Sequence, residues 1–211
     1  MGGFGLDSRL WGLALDQIQS MQAVLANGTL VTVSEKQHSD LFWAIRGAGP
    51  SFAIVTEFTV RTFPAPPQVH WFSYTFHFAT PEEAAKAFDA YQAWGANDVP
   101  KELGPQLSLN KEAFLINGAY YGTDAERNSN ASLAKLWKKI GNPVSSTRWT
   151  GDYIHSIAYG NNGDPDSSID TTKAPQGRDT FYVNSLYVLG GCDPSSWSLL
   201  LPEVADAAIV P

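Results

Sequence analysis

The stretch Pro64-Ala65-Pro66-Pro67 constrains this chain more than any other. Three prolines in four positions remove backbone donors and fix φ, so neither a strand ladder nor a helix runs through them. The segments on either side must each bury their apolar side chains in a core of their own. A junction is therefore expected, with one part over residues 1–64, a linker at 65–67 and a second part over 68–211.

Ahead of the prolines, QAVLANGTLVTV reads as two β runs joined by Asn27-Gly28, the pair best able to supply the positive φ angles of a type I′ hairpin. SDLFWAIRGAG predicts a two-turn helix with Ser39 or Asp40 as N-cap and Gly47 at its end. FAIVTEFTVRTF predicts a long alternating strand, with Phe52, Ile54, Phe58 and Val60 on one face and Ala53, Val55, Glu57, Thr59 and Arg61 on the other.

Behind the prolines, VHWFSYTFHF alternates again, and Thr80-Pro81-Glu82-Glu83 has the form of a capping box opening a helix. LSLN and AFLINGAYYG predict two further strands. Leu133, Leu136, Trp137 and Ile140 then share one helical face before Gly141-Asn142-Pro143 ends it. Residues 159–177 read as a long polar loop and DTFYVNSLYVL as another strand. The element order predicts an α+β chain, its second part an antiparallel sheet with helices on one face.

Several function classes are disfavoured. With 14 Lys and Arg against 21 Asp and Glu the net charge is −7, the wrong sign for nucleic acid or an anionic membrane. No apolar run approaches the roughly 20 residues that span a bilayer, and glycines come directly after Met1 where a signal peptide would place its apolar region. Cys192 is the single cysteine and cannot close an internal disulfide. His38, His70, His77 and His155 show no metal-ligand spacing, and no GxSxG elbow is present.

The opening MGGFGLDSRLWGLALD leaves two readings open. Its glycines make either a turn between strands or a cradle that brings backbone amides to a pyrophosphate or flat ring, with Ser8 and Arg9 adding donors.

Together, GGFGLDSRLWGLALDQI, VLANGTLV and SDLFWAIRGAGPSFAIVTEFTVRTFPAP resemble the latter half of the FAD-binding domain in berberine-bridge-enzyme-like oxidoreductases of the vanillyl-alcohol-oxidase superfamily. The likeness is closest to fungal glucooligosaccharide-oxidase-like members. It continues more loosely through QLSLN, NGAYYG and DTFYVNSLYV, where it implies a substrate-binding domain.

The resemblance implies FAD as cofactor, with Gly2, Gly3, Gly5, Ser8, Arg9, Gly12, Leu13 and Asp16 in its pocket wall, and Ile54 and Val55 lining its ribityl and adenine side. Ala53 replaces the glycine usual there. It further implies hydride transfer from a CH–OH carbon of a sugar or other alcohol to the flavin, reoxidation by O2, and an extracellular parent enzyme. The histidine and cysteine that hold the flavin in this family precede the glycine motif, and the catalytic base lies C-terminal to the matched region. The chain is therefore expected to be a central slice of the family architecture, inactive alone, with its catalytic residues outside it.

For the substrate face, Gln106, Asn110, Asn117, Tyr120 and Tyr121 offer amides and aromatic rings to a sugar-like ligand; strand residues satisfied within their own sheet are the alternative. A non-catalytic glycan- or ligand-binding or interaction protein derived from the same fold is the rival function. Asn27-Gly28-Thr29 and Asn130-Ala131-Ser132 both match the sequon for N-linked glycans, although the hairpin also requires Asn27.

Overall fold

The computed structural model describes residues 2–109 and 113–166, in an α+β arrangement of antiparallel sheets and helices. The chain divides into two compact units, Met1–Ala65 and Pro66–Pro211.

The first unit opens with the glycine loop, a single helical turn α1 (Ser8–Trp11) and a 3-10 turn over Ala14–Gln17. Strands β1 (Ile18–Leu25), β2 (Leu30–Ser34) and β3 (Ala53–Val60) then form an antiparallel sheet in the order β2-β1-β3. Helix α2 (Ser39–Ala48) lays Phe42 and Ile45 against Met21, Ala23 and Val33, and these five side chains are the buried core of the unit.

Three local expectations change here. The β1–β2 connection is not a type I′ turn, because Asn27 keeps a negative φ and only Gly28 is left-handed, at φ +81°. Gly28 N–H donates to Leu25 O at 2.9 Å and Leu25 N–H to Thr29 O at 2.9 Å, the pattern of a three-residue loop closed by a left-handed glycine. Helix α2 has His38 as its N-cap and passes through Gly47 to Ala48, so packing on the sheet outweighs the helix-breaking tendency of that glycine.

The third change is in β3, whose two apolar faces are not those of simple alternation. Ala23 opposes Val55 whereas Gln22 opposes Glu57, so Thr56 is an extra residue in the ladder. Beyond this bulge the pleat is rephased. Phe58 opposes Met21 and therefore joins Ala53 and Val55 on the helix-covered face, while Glu57 joins Ile54 on the other.

In the second unit, β4 (Val69–Phe76), β5 (Leu103–Leu109), β6 (Phe114–Tyr121) and β7 (Ser145–Gly151) form an antiparallel sheet in the order β5-β6-β4-β7. Helices α3 (Pro81–Asn97) and α4 (Ala125–Ile140) cover one face, where Phe72, Phe76, Trp94, Leu103, Ile116, Leu133 and Leu136 are buried together. Trp94 is fully buried, and its indole N–H donates to the Ser132 carbonyl at 3.0 Å, joining α3 to α4.

Gly118 lies opposite both Phe72 and Pro105. A Cβ there would run into the Gly104 carbonyl and the Phe72 ring, so only glycine lets this aromatic cross the centre of the sheet.

Strand β7 is not read from the sequence. Helix α5 (Tyr153–Asn162) is a further addition, covering part of the opposite sheet face, and it carries helix four residues into the region expected to be loop. The expected strand DTFYVNSLYVL, residues 167–177 of that loop and Cys192 lie outside the described residues.

The Thr80 half of the capping box is formed as expected, and its return bond reaches one residue further back, to Ala79. The Thr80 hydroxyl accepts from Glu83 N–H at 3.2 Å, and the Glu83 carboxylate accepts from Ala79 N–H at 3.0 Å. Thr80→Ala is expected to lower the unfolding free energy of the second unit by about 1 kcal/mol in urea titration; an unchanged midpoint would show that the cap does not hold α3.

Candidate functional site

In the first unit the glycine loop and the end of β3 enclose a groove of about 400 Å³. The loop is fixed by its own hydrogen bonds. Gly5 N–H donates to the Ser8 hydroxyl at 2.8 Å, Ser8 N–H returns to Gly5 O at 3.0 Å, and Ala14 N–H donates to Gly3 O at 3.1 Å. Gly3, at φ +67°, lies so close to Ala14 that a side chain would collide with it.

The groove gathers residues far apart in sequence. The Trp11 and Phe63 rings stack at 5.7 Å with an interplanar angle of 10°, and the Arg61 guanidinium lies 5.1 Å from the Phe63 centroid. Gln17 holds that cation in place: its Oε1 accepts from Arg61 Nε at 3.0 Å and Nη2 at 2.6 Å, while its Nε2 donates to Trp11 O at 2.7 Å. An orientated guanidinium beside stacked rings suits a ligand that is both anionic and aromatic.

Of the residues assigned to FAD by resemblance, Gly3, Gly5 and Gly12 line this groove. Asp16 borders an adjoining depression that shares Gln17 and Arg61 with the groove and adds Ser34, Glu35 and Lys36. Gly2, Ser8, Arg9 and Leu13 belong to the loop but not to the groove lining. Ile54 and Val55 lie at the other end of β3, some six residues or roughly 20 Å from the groove. There Val55 lines an apolar hollow of about 270 Å³ with Ile45, Pro50 and Phe58, while Ile54 is 72% exposed on the opposite face. Trp11, Gln17, Arg61 and Phe63 are missed by the sequence reading because nothing local marks residues that meet across 44 positions.

In the second unit the face opposite α3 and α4 carries a polar row across all four strands. Gln106 opposes Asn117, Asn117 opposes Ser73, and Ser73 opposes Thr147. Beside it stand Trp71 and Trp149, directly opposed, with Tyr159 of α5 stacked on Trp149 at 5.1 Å and 15°. Asn117 Oδ1 and Trp71 Nε1 are both buried and have no hydrogen-bond partner among the described residues.

Tyr121 shares this face and meets Tyr153 at 6.4 Å. Tyr120 does not, since the pleat sends adjacent side chains to opposite faces and buries this one in the helix-covered core. Asn110 lies outside the described residues. Among the described residues no cluster of metal-ligating side chains occurs, and no helix is long and apolar enough to cross a membrane.

No protein-family model matches the chain. It is 38% identical over 205 residues to the FAD-linked oxidoreductase dpmaF of Metarhizium anisopliae, covering 97% of this chain and 38% of the relative. It is 35% identical to a xylooligosaccharide oxidase of Thermothelomyces thermophilus over 88% of this chain and 36% of the relative.

Among solved structures, the glucooligosaccharide oxidase of Acremonium strictum, which carries a 6-S-cysteinyl, 8α-N1-histidyl FAD, matches with a TM-score of 0.82 and 29% identity, over 100% of this chain and 43% of that one. The BBE-like 1 protein of Physcomitrella patens matches with a TM-score of 0.79 and 30% identity, over 97% of this chain and 44% of that one. The chain thus spans about two-fifths of the length of its relatives.

These relatives are FAD-linked oxidoreductases on one α+β architecture. Over nearly its whole length the chain is similar to them, and it fits the berberine-bridge-enzyme-like family.

The helix-covered face carries the groups most perturbed by burial. Burial raises the Tyr74 and Tyr120 hydroxyls above the usual tyrosine range, with Glu102 adding to the rise at Tyr120. His70 is 1% exposed, and its Nδ1 is hydrogen-bonded to Thr150 Oγ1 at 2.6 Å, joining β4 to β7. Burial, with a smaller contribution from Arg148, lowers the imidazole below the ordinary histidine value of 6.5 against the opposing pull of Glu126.

The folded chain therefore prefers neutral His70. The stability that preference contributes is complete above the unfolded value and is lost as pH falls through the folded one. Urea midpoints are expected to fall between about pH 7.5 and about pH 5, and His70→Asn is expected to flatten that slope. An unaltered slope would exclude His70 as its source.

Proposed function

We propose that this chain supplies one wall of the flavin site and the substrate-facing sheet of an FAD-linked oxidase acting on a CH–OH group of an oligosaccharide or other alcohol. In this reading residues 1–64 are part of an FAD-binding domain, 65–67 a linker and 68–211 part of a substrate domain. The observation that carries it is the first unit's groove, where a tethered guanidinium, stacked aromatic rings and glycine backbone occur together. That donor set fits FAD: Arg61 suits a diphosphate charge, and Gly3, Gly5 and Gly12 allow close backbone approach.

When bound, FAD supplies the hydride acceptor, with O2 as the final oxidant. The chain's own residues bind and orient. Gln17 fixes the direction of Arg61, so that little ordering is left for the moment of binding. On the sheet, Asn117 and Gln106 offer hydrogen bonds to substrate hydroxyls, and the Trp149–Tyr159 wall offers an apolar surface to a pyranose face. Ile54 and Val55 would border a more distant part of the cofactor. An extracellular location accords with the same reading, by analogy with the fungal carbohydrate oxidases it resembles.

A second reading, glycan binding without flavin, rests on the unpartnered Asn117 Oδ1 and Trp71 Nε1 of the sheet face. Titration of the purified chain with FAD and with cello- and xylo-oligosaccharides separates the two. Saturable quenching of tryptophan fluorescence by FAD is expected, weakened about tenfold or more by Arg61→Ala, as loss of a charge-assisted bond implies. Oligosaccharide binding with no response to FAD would overturn the oxidase reading in favour of the second.

A further inference from the structure

Two Asn-X-Ser/Thr triplets occur in the described residues, and the fold treats them oppositely. Asn27, Gly28 and Thr29 all lie exposed at the tip of the β1–β2 hairpin. The Asn27 side-chain carbonyl accepts from Thr29 N–H at 3.0 Å, and among the described residues no hydrogen bond engages its amide nitrogen. At Gly28 nothing lies within 4 Å of where a Cβ would stand, so the space beside the acceptor is open.

Asn130 lies within α4, and its side-chain carbonyl accepts from the Tyr74 hydroxyl at 3.4 Å. Its sequon partner Ser132 is 6% exposed. The Ser132 hydroxyl donates to Asp98 O at 3.4 Å, and its carbonyl receives the Trp94 indole. A glycan at Asn130 would have to displace the contact of α4 with β4.

We propose that Asn27 is an acceptor for an N-linked glycan and that Asn130 is not. The donor is a polyprenyl-diphosphate-linked oligosaccharide, used by a host transferase. Asn27 Nδ2 attacks the anomeric carbon, forming the C–N bond as the C–O bond to the diphosphate breaks, and the amide proton leaves to a base of the transferase. The turn serves this step by presenting the amide and the Thr29 hydroxyl together at a point where the chain buries nothing. Occurrence in the source organism rests on the extracellular location proposed above; acceptor competence rests on the hairpin alone.

The test directs the full chain into the secretory pathway of a yeast host with an appended signal sequence. Lumenal and secreted material is then compared by intact mass before and after endoglycosidase treatment. A single glycan is expected, absent from Asn27→Gln and Thr29→Ala and retained by Asn130→Gln. Thr29→Ala keeps both Asn27 and the backbone N–H of the turn, so loss of glycan in that variant cannot be ascribed to a broken hairpin. An unmodified wild-type chain in the lumen, or a glycan lost only in Asn130→Gln, would overturn the assignment. A chain modified in the yeast lumen but unmodified when isolated from its own organism would remove the extracellular reading and leave the acceptor assignment standing.

Discussion

The second unit depends on the two-residue pleat of β4. This strand pairs along its length with β6 on one side and β7 on the other, so it cannot slip without breaking both ladders. Its even-numbered residues His70, Phe72, Tyr74 and Phe76 turn toward α3 and α4, and the odd-numbered Trp71, Ser73 and Thr75 toward the other face. One register thereby makes an apolar core and a polar, aromatic-edged surface at once. Asn117 and Tyr120 are separated by the same rule, acting through β6.

The first unit is organised by a different kind of constraint. Arg61 and Gln17 are bonded through both backbone and side chain, since Arg61 N–H also donates to Gln17 O at 2.8 Å. That double attachment links the end of β3 to the glycine loop, and the groove is the space left between them. The opening glycines thus shape a cavity partly through what they exclude, as at Gly3 against Ala14, and partly through turns that their neighbours complete.

Much of this was legible where the determinants are local. Thr80-Pro81-Glu82-Glu83 carries its whole cap within four residues, and the apolar spacing of α4 needs no distant partner. Legibility failed where partners lie elsewhere in the chain. SSTRWTG is polar and largely exposed, and it becomes β7 only because β4 offers it an unpaired edge. The glycine motif supplies one side of the groove, whereas Trp11, Gln17, Arg61 and Phe63 on its lining are brought together by the antiparallel return of β3 alongside β1. Ser8, read as a donor to ligand, also accepts from Gly5 N–H and so closes the loop.

The extra residue at Thr56 has a consequence for how this unit tolerates change in length. Because the bulge moves Phe58 onto the face of Met21, the two halves of β3 obey opposite parity: odd positions face α2 before it and even positions after it. Deleting one residue at that point would restore regular pairing of β1 from Ser20 to Leu25 while keeping both Ala53 and Phe58 inward. A deletion two or three residues further along, past Phe58, would bring the wrong parity to the groove end of the strand. The bulge at Thr56 thus acts as a joint at which the helix-packed half of the strand and the groove-forming half can change length independently, and a second irregularity, between Ile18 and Ser20 of β1, lies opposite Thr59 and Val60 at the groove end.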